Sequence, residues 1–499
     1  MKILFVTSEM YPFVRTKDMA NFSYDLTRHL ANQDVEVRVV MPKYKNADIK
    51  KLQYVCDFSV DMANRQETCI IKKTLIGRVE VYFVENYQYF GRDFMYAYED
   101  DCERFAFFSN AVVKMIKHID FRPCVIHLND WSTAPVSMII NENKRDDAFY
   151  KKIALVYTIH DLTCQGICSK GFLRLMGVND TAFSFDKAEY YNMLNYAKMG
   201  ITYSDIVTTV SETYAQEIKE RAYGNGLDGV LRSRGADVLG VLNGIDQREF
   251  NPRTDKVLHK NYDYISCRSK LANKYFLQDK LNLPRKDVPM IAFIAPLTEE
   301  KGVEILLESM DDILKNDVQL VIVGVGTAVY EYSIKFAMSK YKYQIFALIG
   351  EDDELIRQIF AASDIFLAPY RMNPCGKNEL IALRYGVVPV ATGVGSLRDV
   401  IVDVRKDEKG YGYIFERFSK SNMMEALASA IVDYEDKDKW YSMVVRALKK
   451  NFSWTKTTAS YKGIYKLFAE DVRKPINFSD CRQMDNELHQ DFRESINLI

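Results

Sequence analysis

Two short apolar runs of the chain end in polar residues placed where strand-end loops carry chemistry. Asp130 follows the run 125–128, with Trp131 beside it, and His160 closes the run 154–159. The first offers a charged acceptor and the second a ring that can both donate and accept. Asn243-Gly244 follows a third run, 238–242. Each has a plainer reading that the sequence leaves open. Asp is frequent at helix N-caps, a lone His is usually a satisfied structural residue, and Asn-Gly is a common turn. Gly324-Val325-Gly326 lacks the third glycine of a dinucleotide loop and reads as a tight strand-to-helix turn. Cys164 and Cys168 are four apart with no second Cys or His pair, which is not metal-ligand spacing.

The elements that must hold these residues follow from periodicity. Short β-rich runs alternate with amphipathic stretches, the pattern of βαβ units around parallel sheets. Strands are expected at 3–7, 35–41, 79–84, 125–128, 154–159, 206–210 and 238–242, which suit one open sheet. A second series, at 290–295, 318–323, 344–348, 365–368 and 388–391, makes another. Val303, Leu306, Leu307, Met310, Ile313 and Leu314 form the stripe of a helix lying on that second sheet. In open parallel sheets the loops at the carboxyl ends of strands form the ligand crevices, so two such domains are expected to face an interdomain cleft. The polar, proline-containing stretch from Asn251 places the domain boundary near Pro252.

The 499 residues are too many for one ordinary core. With 67 Lys and Arg against 68 Asp and Glu, the net charge of -1 gives no global reason to expect nucleic acid or an anionic membrane as partner, so any anion site is local. The N-terminus reads as a buried strand rather than a signal peptide. No apolar stretch approaches membrane-spanning length, and the nine cysteines are scattered singly, from which a reducing, cytoplasmic setting is expected.

Motifs in order along the chain add a resemblance. Ser8-Glu9-Met10-Tyr11-Pro12-Phe13 precedes Arg15-Thr16-Lys17-Asp18 and a helical pattern over 21–32. There follow Glu103-Arg104-Phe105-Ala106-Phe107-Phe108-Ser109, His127-Leu128-Asn129-Asp130-Trp131, Thr158-Ile159-His160-Asp161-Leu162 with Gln165-Gly166, and Val207-Thr208-Thr209-Val210-Ser211. Gly226-Leu227-Asp228-Gly229-Val230-Leu231, Val241-Leu242-Asn243-Gly244-Ile245-Asp246 and Phe452-Ser453-Trp454 complete the set. Together, over residues 1 to about 468, they resemble the bacterial glycogen and starch synthases. The resemblance implies an α/β GT-B fold of two Rossmann-like domains: an N-terminal acceptor-side domain at 1–251, a nucleotide-sugar-binding domain at 252–453, and a helix at 454–469 returning to the first, with 470–499 as a tail. It implies transfer of glucose from ADP-glucose or UDP-glucose to the non-reducing end of an α-1,4-glucan, with retention, no metal and no further cofactor. The leaving diphosphate must then be neutralised by protein cations and helix N-termini.

Carried over by residue, the resemblance gives catalytic roles to Asp130, near acceptor and reacting sugar, and His160, at the glucosyl 6-hydroxyl. It adds Lys301 on phosphate and Asn373 on the sugar. Donor contacts fall to Arg15, Thr16, Asn243, Gly244, Lys301, Cys375, Gly376 and Asn378. Several positions depart from the family pattern. Its Ser-Arg-Leu-x-x-Gln-Lys-Gly becomes Ala295-Pro296-Leu297-Thr298-Glu299-Glu300-Lys301-Gly302, so a phosphate-binding arginine is Pro296. A proline makes no bidentate phosphate contact, a loss on the order of 3 kcal/mol. Its Glu-Pro-Cys-Gly-Leu-Thr-Gln becomes Asn373-Pro374-Cys375-Gly376-Lys377-Asn378-Glu379, so the sugar-contacting glutamate is Asn373. Lys17-Asp18 replaces paired glycines, where side chains obstruct a diphosphate and Asp18 repels it. Lys377, or Arg15 with Lys17, offers compensation. Three functions are thus expected in turn: a working synthase, a catalytically impaired paralogue binding glucan or a partner synthase, or a GT-B transferase with changed donor or acceptor.

Overall fold

Apolar runs without polar interruption are buried on both faces, and in the computed structural model they form the strands of two parallel-rich sheets. The structure describes residues 1–16 and 18–470; Lys17 and the tail from 471 lie outside the described residues. The chain divides into two units.

The N-terminal unit comprises Met1–Thr209, Ile218–Leu239 and the chain from Thr458. Its strands are β1 (Lys2–Val6), β2 (Glu36–Pro42), β3 (Gln53–Met62), β4 (Arg65–Ile76), β5 (Val79–Glu85), β6 (Val125–Asn129), β7 (Ala154–Ile159), β8 (Ile167–Cys168), β9 (Glu189–Tyr190), β10 (Met193–Asn195), β11 (Ile206–Thr209) and β12 (Val238–Gly240). The main sheet runs β12-β11-β7-β6-β1-β2-β5-β4-β3, and β8, β10 and β9 form a small separate one. The expected strands are all present, and those from β5 across to β11 pair in parallel. The hairpin β3–β4 was not expected, because its outer strand alternates exposed and half-buried residues and carries little apolar signal. It pairs antiparallel onto β5 and extends that edge.

Helix Asp18–Ala31 packs Met19, Phe22, Leu26 and Leu30 inward, spaced three and four apart. Helix Trp454–Glu470 begins where expected, and its later turns bring Tyr461 and Tyr465 into the N-terminal core. The Tyr465 hydroxyl lies 2.6 Å from His127 Nδ1, while His127 Nε2 lies 2.6 Å from Thr158 Oγ1. This fixes the middle of β6 and β7, whose carboxyl ends carry Asp130 and His160.

The second unit comprises Val210–Glu217 and Gly240–Thr457. Its sheet joins β13 (Met290–Ile294), β14 (Gln319–Gly324), β15 (Ile345–Ile349), β16 (Ile365–Ala368), β17 (Val388–Thr392) and β18 (Tyr413–Phe415) in the order β15-β14-β13-β16-β17-β18. All neighbours are parallel. Helix Val303–Leu314 buries Val303, Leu306, Met310, Ile313 and Leu314 of the expected stripe; Leu307 is only half-buried, and Ile305 is buried in addition. A buried ion pair, Lys274 Nζ to Asp364 Oδ2 at 2.6 Å, ties helix Lys270–Lys280 to the residue preceding β16.

The crossing between units precedes the expected boundary at 252. After the short segment Val210–Glu217, the chain returns to the second unit at Gly240, where a Cβ would stand 2.3 Å from the Ser211 carbonyl oxygen, so only glycine permits the approach. Asn251 and Pro252 instead open a turn inside the second unit. The Asn251 carbonyl accepts from the N–H of Thr254 at 2.9 Å and of Asp255 at 2.8 Å.

Candidate functional site

In the N-terminal unit the ends of β6 and β7 are tied together by the predicted residues themselves. Asp130 has φ 55°, and its Oδ1 accepts the His160 backbone N–H at 2.7 Å. It is not the side-chain cap of the following helix, Pro135–Asn143, which starts after Ala134. The N-cap alternative is therefore set aside.

His160 is buried, with its ring edge-on to Phe22 at 4.6 Å. Burial pushes its pKa down to about 3, with Asp161 opposing weakly, so the ring is neutral at physiological pH. Nε2 stands 3.0 Å from Asn129 Oδ1, and Asn129 Nδ2 donates to the Val6 carbonyl at 2.9 Å. With the amide so oriented, Nε2 carries the proton and Nδ1 the lone pair, so the ring can accept from a hydroxyl. Asn129, absent from the sequence-based set, thus decides the tautomer.

The loop after β1 is organised by Glu9, another residue not singled out. Its carboxylate accepts the Thr16 N–H at 2.7 Å, the Thr16 hydroxyl at 2.8 Å and the Tyr96 hydroxyl at 2.9 Å. Thr16 therefore holds the loop, and Arg15 is exposed beside it. Asp18 opens helix Asp18–Ala31, which starts earlier than the expected 21. A carboxylate in a first turn favours the helix. Asp18 is accommodated as a helix-starting residue, whatever it does to an anion.

In the second unit the loop after β13 holds Pro296 exposed and Lys301 half-buried. Gly302 has φ 68°, and a Cβ there would stand 1.8 Å from the Pro369 carbonyl oxygen, so the turn presenting Lys301 requires glycine. Lys301 Nζ lies 4.5 Å from the Tyr370 ring centroid and donates to Asn373 Oδ1 at 3.0 Å. Asn373 Nδ2 donates to Ser396 Oγ at 2.9 Å and to Glu379 Oε1. Burial raises the Glu379 carboxyl, against the lowering influence of its own backbone N–H, Lys301, Asn373 and Ser396.

Asn243 Nδ2 points at Cys375 Sγ, 3.0 Å away, while its buried Oδ1 has no partner among the described residues. Gly244 packs on the Ser453–Trp454 backbone, 2.7 Å from Trp454 N for a notional Cβ. The Asn-Gly pair is thus both a tight passage and a side chain aimed at the Cys375 loop. Gly376 precedes helix Lys377–Arg384, and Asn378 Nδ2 donates to the Ile294 carbonyl at the end of β13, at 2.9 Å. Lys377 Nζ sits 5.0 Å from the Phe250 ring centroid. The structure gathers Lys301, Asn373, Asn243, Cys375, Gly376 and Asn378 around β13 and β16, and Asp130 with His160 around β6 and β7. Among the described residues no three His, Cys, Asp or Glu side chains cluster as a metal site, and no helix is long and apolar enough to cross a membrane.

Comparison with solved structures gives the class. The catalytic domain of starch synthase IV from Arabidopsis thaliana, bound to ADP and acarbose, matches with TM-score 0.86 at 26% identity, over 94% of this chain and 99% of that one. A sucrose-phosphate synthase from Thermosynechococcus elongatus matches with TM-score 0.62 at 14% identity, which speaks to the fold alone. The protein is a GT-B glycosyltransferase in architecture. The starch synthase catalytic domain model matches residues 2–233, and the group 1 glycosyl transferase model matches 276–443. Glycogen synthase of Clostridium novyi (strain NT) is 40% identical over 472 residues, 93% of this chain and 98% of its own length. That of Desulforudis audaxviator (strain MP104C) is 37% identical over 488 residues, 95% and 97%. The chain belongs to the glycogen and starch synthase family.

Proposed function

We propose that the protein is a working glucosyltransferase that moves glucose from ADP-glucose to the non-reducing end of an α-1,4-glucan with retention, in the cytoplasm. The observation that carries the reading is the Lys301 ammonium held on Asn373 beside the glycine-opened helix Lys377–Arg384, in a chain whose glycogen synthase relatives it spans almost completely. The Arabidopsis neighbour's bound ADP favours an adenine donor.

When the bond from C1 to the diphosphate breaks, negative charge grows on the leaving oxygen. Lys301 supplies positive charge for it, with the N–H groups at the start of helix Lys377–Arg384 around Cys375 and Gly376, and this work falls to protein groups rather than a metal or cofactor. Asn373 accepts from a sugar hydroxyl, and Asn243 and Asn378 keep the surrounding loops in register. In the N-terminal unit His160 accepts from the glucosyl 6-hydroxyl through Nδ1, and Asp130 serves the acceptor.

The test is incorporation of labelled glucose into glycogen by the purified protein, from ADP-glucose and UDP-glucose in parallel. Incorporation from ADP-glucose in preference to UDP-glucose is expected. None from either, combined with retardation by glycogen in an affinity gel and no rise in Tm with ADP-glucose, would establish the glucan-binding paralogue instead.

A further inference from the structure

Glu379 is 1% exposed and stands at the third position of helix Lys377–Arg384. Among the described residues no cation lies within ion-pair distance of it. Its partners are Asn373 Nδ2 and the Ser396 hydroxyl, which donates to Oε1 at 3.1 Å. A glutamine of the same shape would accept these bonds without the expense of burying a charge. The carboxylate is also seated against backbone: a Cβ on Gly376 would fall 1.1 Å from Oε1. The Cys375–Gly376 turn is therefore shaped around it.

Asn373 spends its amide hydrogens on Glu379 and Ser396, so its Oδ1 must face outward to Lys301. Carboxylate, amide and ammonium form one chain. Two of the departures in the motif, Asn for Glu at 373 and Glu for Gln at 379, are six residues apart and in contact, and between them they keep the number of carboxylates unchanged.

Resting on the glucosyltransferase reading above, we propose that Glu379 is the positioning carboxylate of the donor site. Its charge, passed through the Asn373 amide, holds the Lys301 ammonium and supplies the negative potential that the family motif carries at 373 itself. Glu379 acts through Asn373 and Lys301 rather than on the sugar. The site has moved its carboxylate, not lost it.

The experiment compares the full-length protein with E379Q, N373E and the exchange variant N373E/E379Q, reading kcat and KM for ADP-glucose together with Tm. E379Q is expected to lose at least tenfold in kcat with a smaller change in KM. N373E, which sets two carboxylates side by side, is expected to lose as much. The exchange variant is expected to recover to within about threefold of wild type. A role confined to helix capping would lower Tm and leave kcat alone, which would overturn the inference, as would an exchange variant no better than the worse single. If E379Q does not fold, the exchange variant, which retains one carboxylate in the pocket, decides. Wild type without incorporation from either nucleotide sugar overturns the functional reading itself, whereas an active wild type with an indifferent E379Q overturns only the role of Glu379.

Discussion

Acidification from pH 7 to pH 5 should destabilise the N-terminal unit by about 2 kcal/mol through His160 alone. The ring is held neutral by burial, with its pKa brought from the ordinary 6.5 to about 3. In the unfolded chain the ring binds a proton as pH falls through 6.5, but in the folded protein it does not until about 3, so between these values the unfolded state gains protons and stability declines. At pH 5 the unfolded ring is protonated roughly thirty times over and the folded ring scarcely at all, a ratio worth about 2 kcal/mol. The full loss, reached near pH 3, is about 5 kcal/mol. His127, buried beside it and lowered by the same cause, acts in the same direction.

The assay is urea unfolding followed by fluorescence at pH 7 and pH 5, for wild type and His160→Asn. The variant is expected to start less stable at pH 7, having lost the ring packed on Phe22, but to fall by about 2 kcal/mol less on acidification. An unchanged pH dependence in the variant would refute the claim that His160 is buried neutral, and with it the assignment of the Nδ1 lone pair to a ligand hydroxyl.

Two further outcomes are expected. Pro296→Arg should raise kcat/KM for ADP-glucose about tenfold to a hundredfold, since the position is exposed and a guanidinium adds the phosphate contact that proline lacks; neighbouring bonds such as Leu297 N–H to the Val325 carbonyl do not depend on the ring. Kinetics unchanged from wild type would show that other cations already fill that role. Gly302→Ala should destabilise the C-terminal unit by on the order of 3 kcal/mol, from positive φ and the close Pro369 carbonyl together, read as a lowered urea midpoint.

The parallel strands were legible because most are short, largely apolar and mostly buried runs, and a local pattern suffices to mark them. β7 and β16 fall where the sequence places them, residue for residue. The hairpin β3–β4 was not legible, since a half-exposed edge strand has no such run. Nor was the unit crossing: proline and polar residues at 251–255 mark a turn, while the true passage at Gly240 depends on a backbone contact with Ser211 and Glu212, far away in sequence.

For the site, sequence alone determined which residues stand at strand ends and which motif positions had changed, including Pro296, Asn373 and Asp18. It could present each change only as a loss or gain at its own position. Tertiary structure decided what the changes mean together: that Asp130 braces His160, that Asn129 chooses the histidine tautomer, and that Asn373 hands its amide to Glu379 and its oxygen to Lys301. The physical reason is that a side chain's type is local, whereas its charge state and the direction of its hydrogen bonds are set by partners that only folding brings within reach.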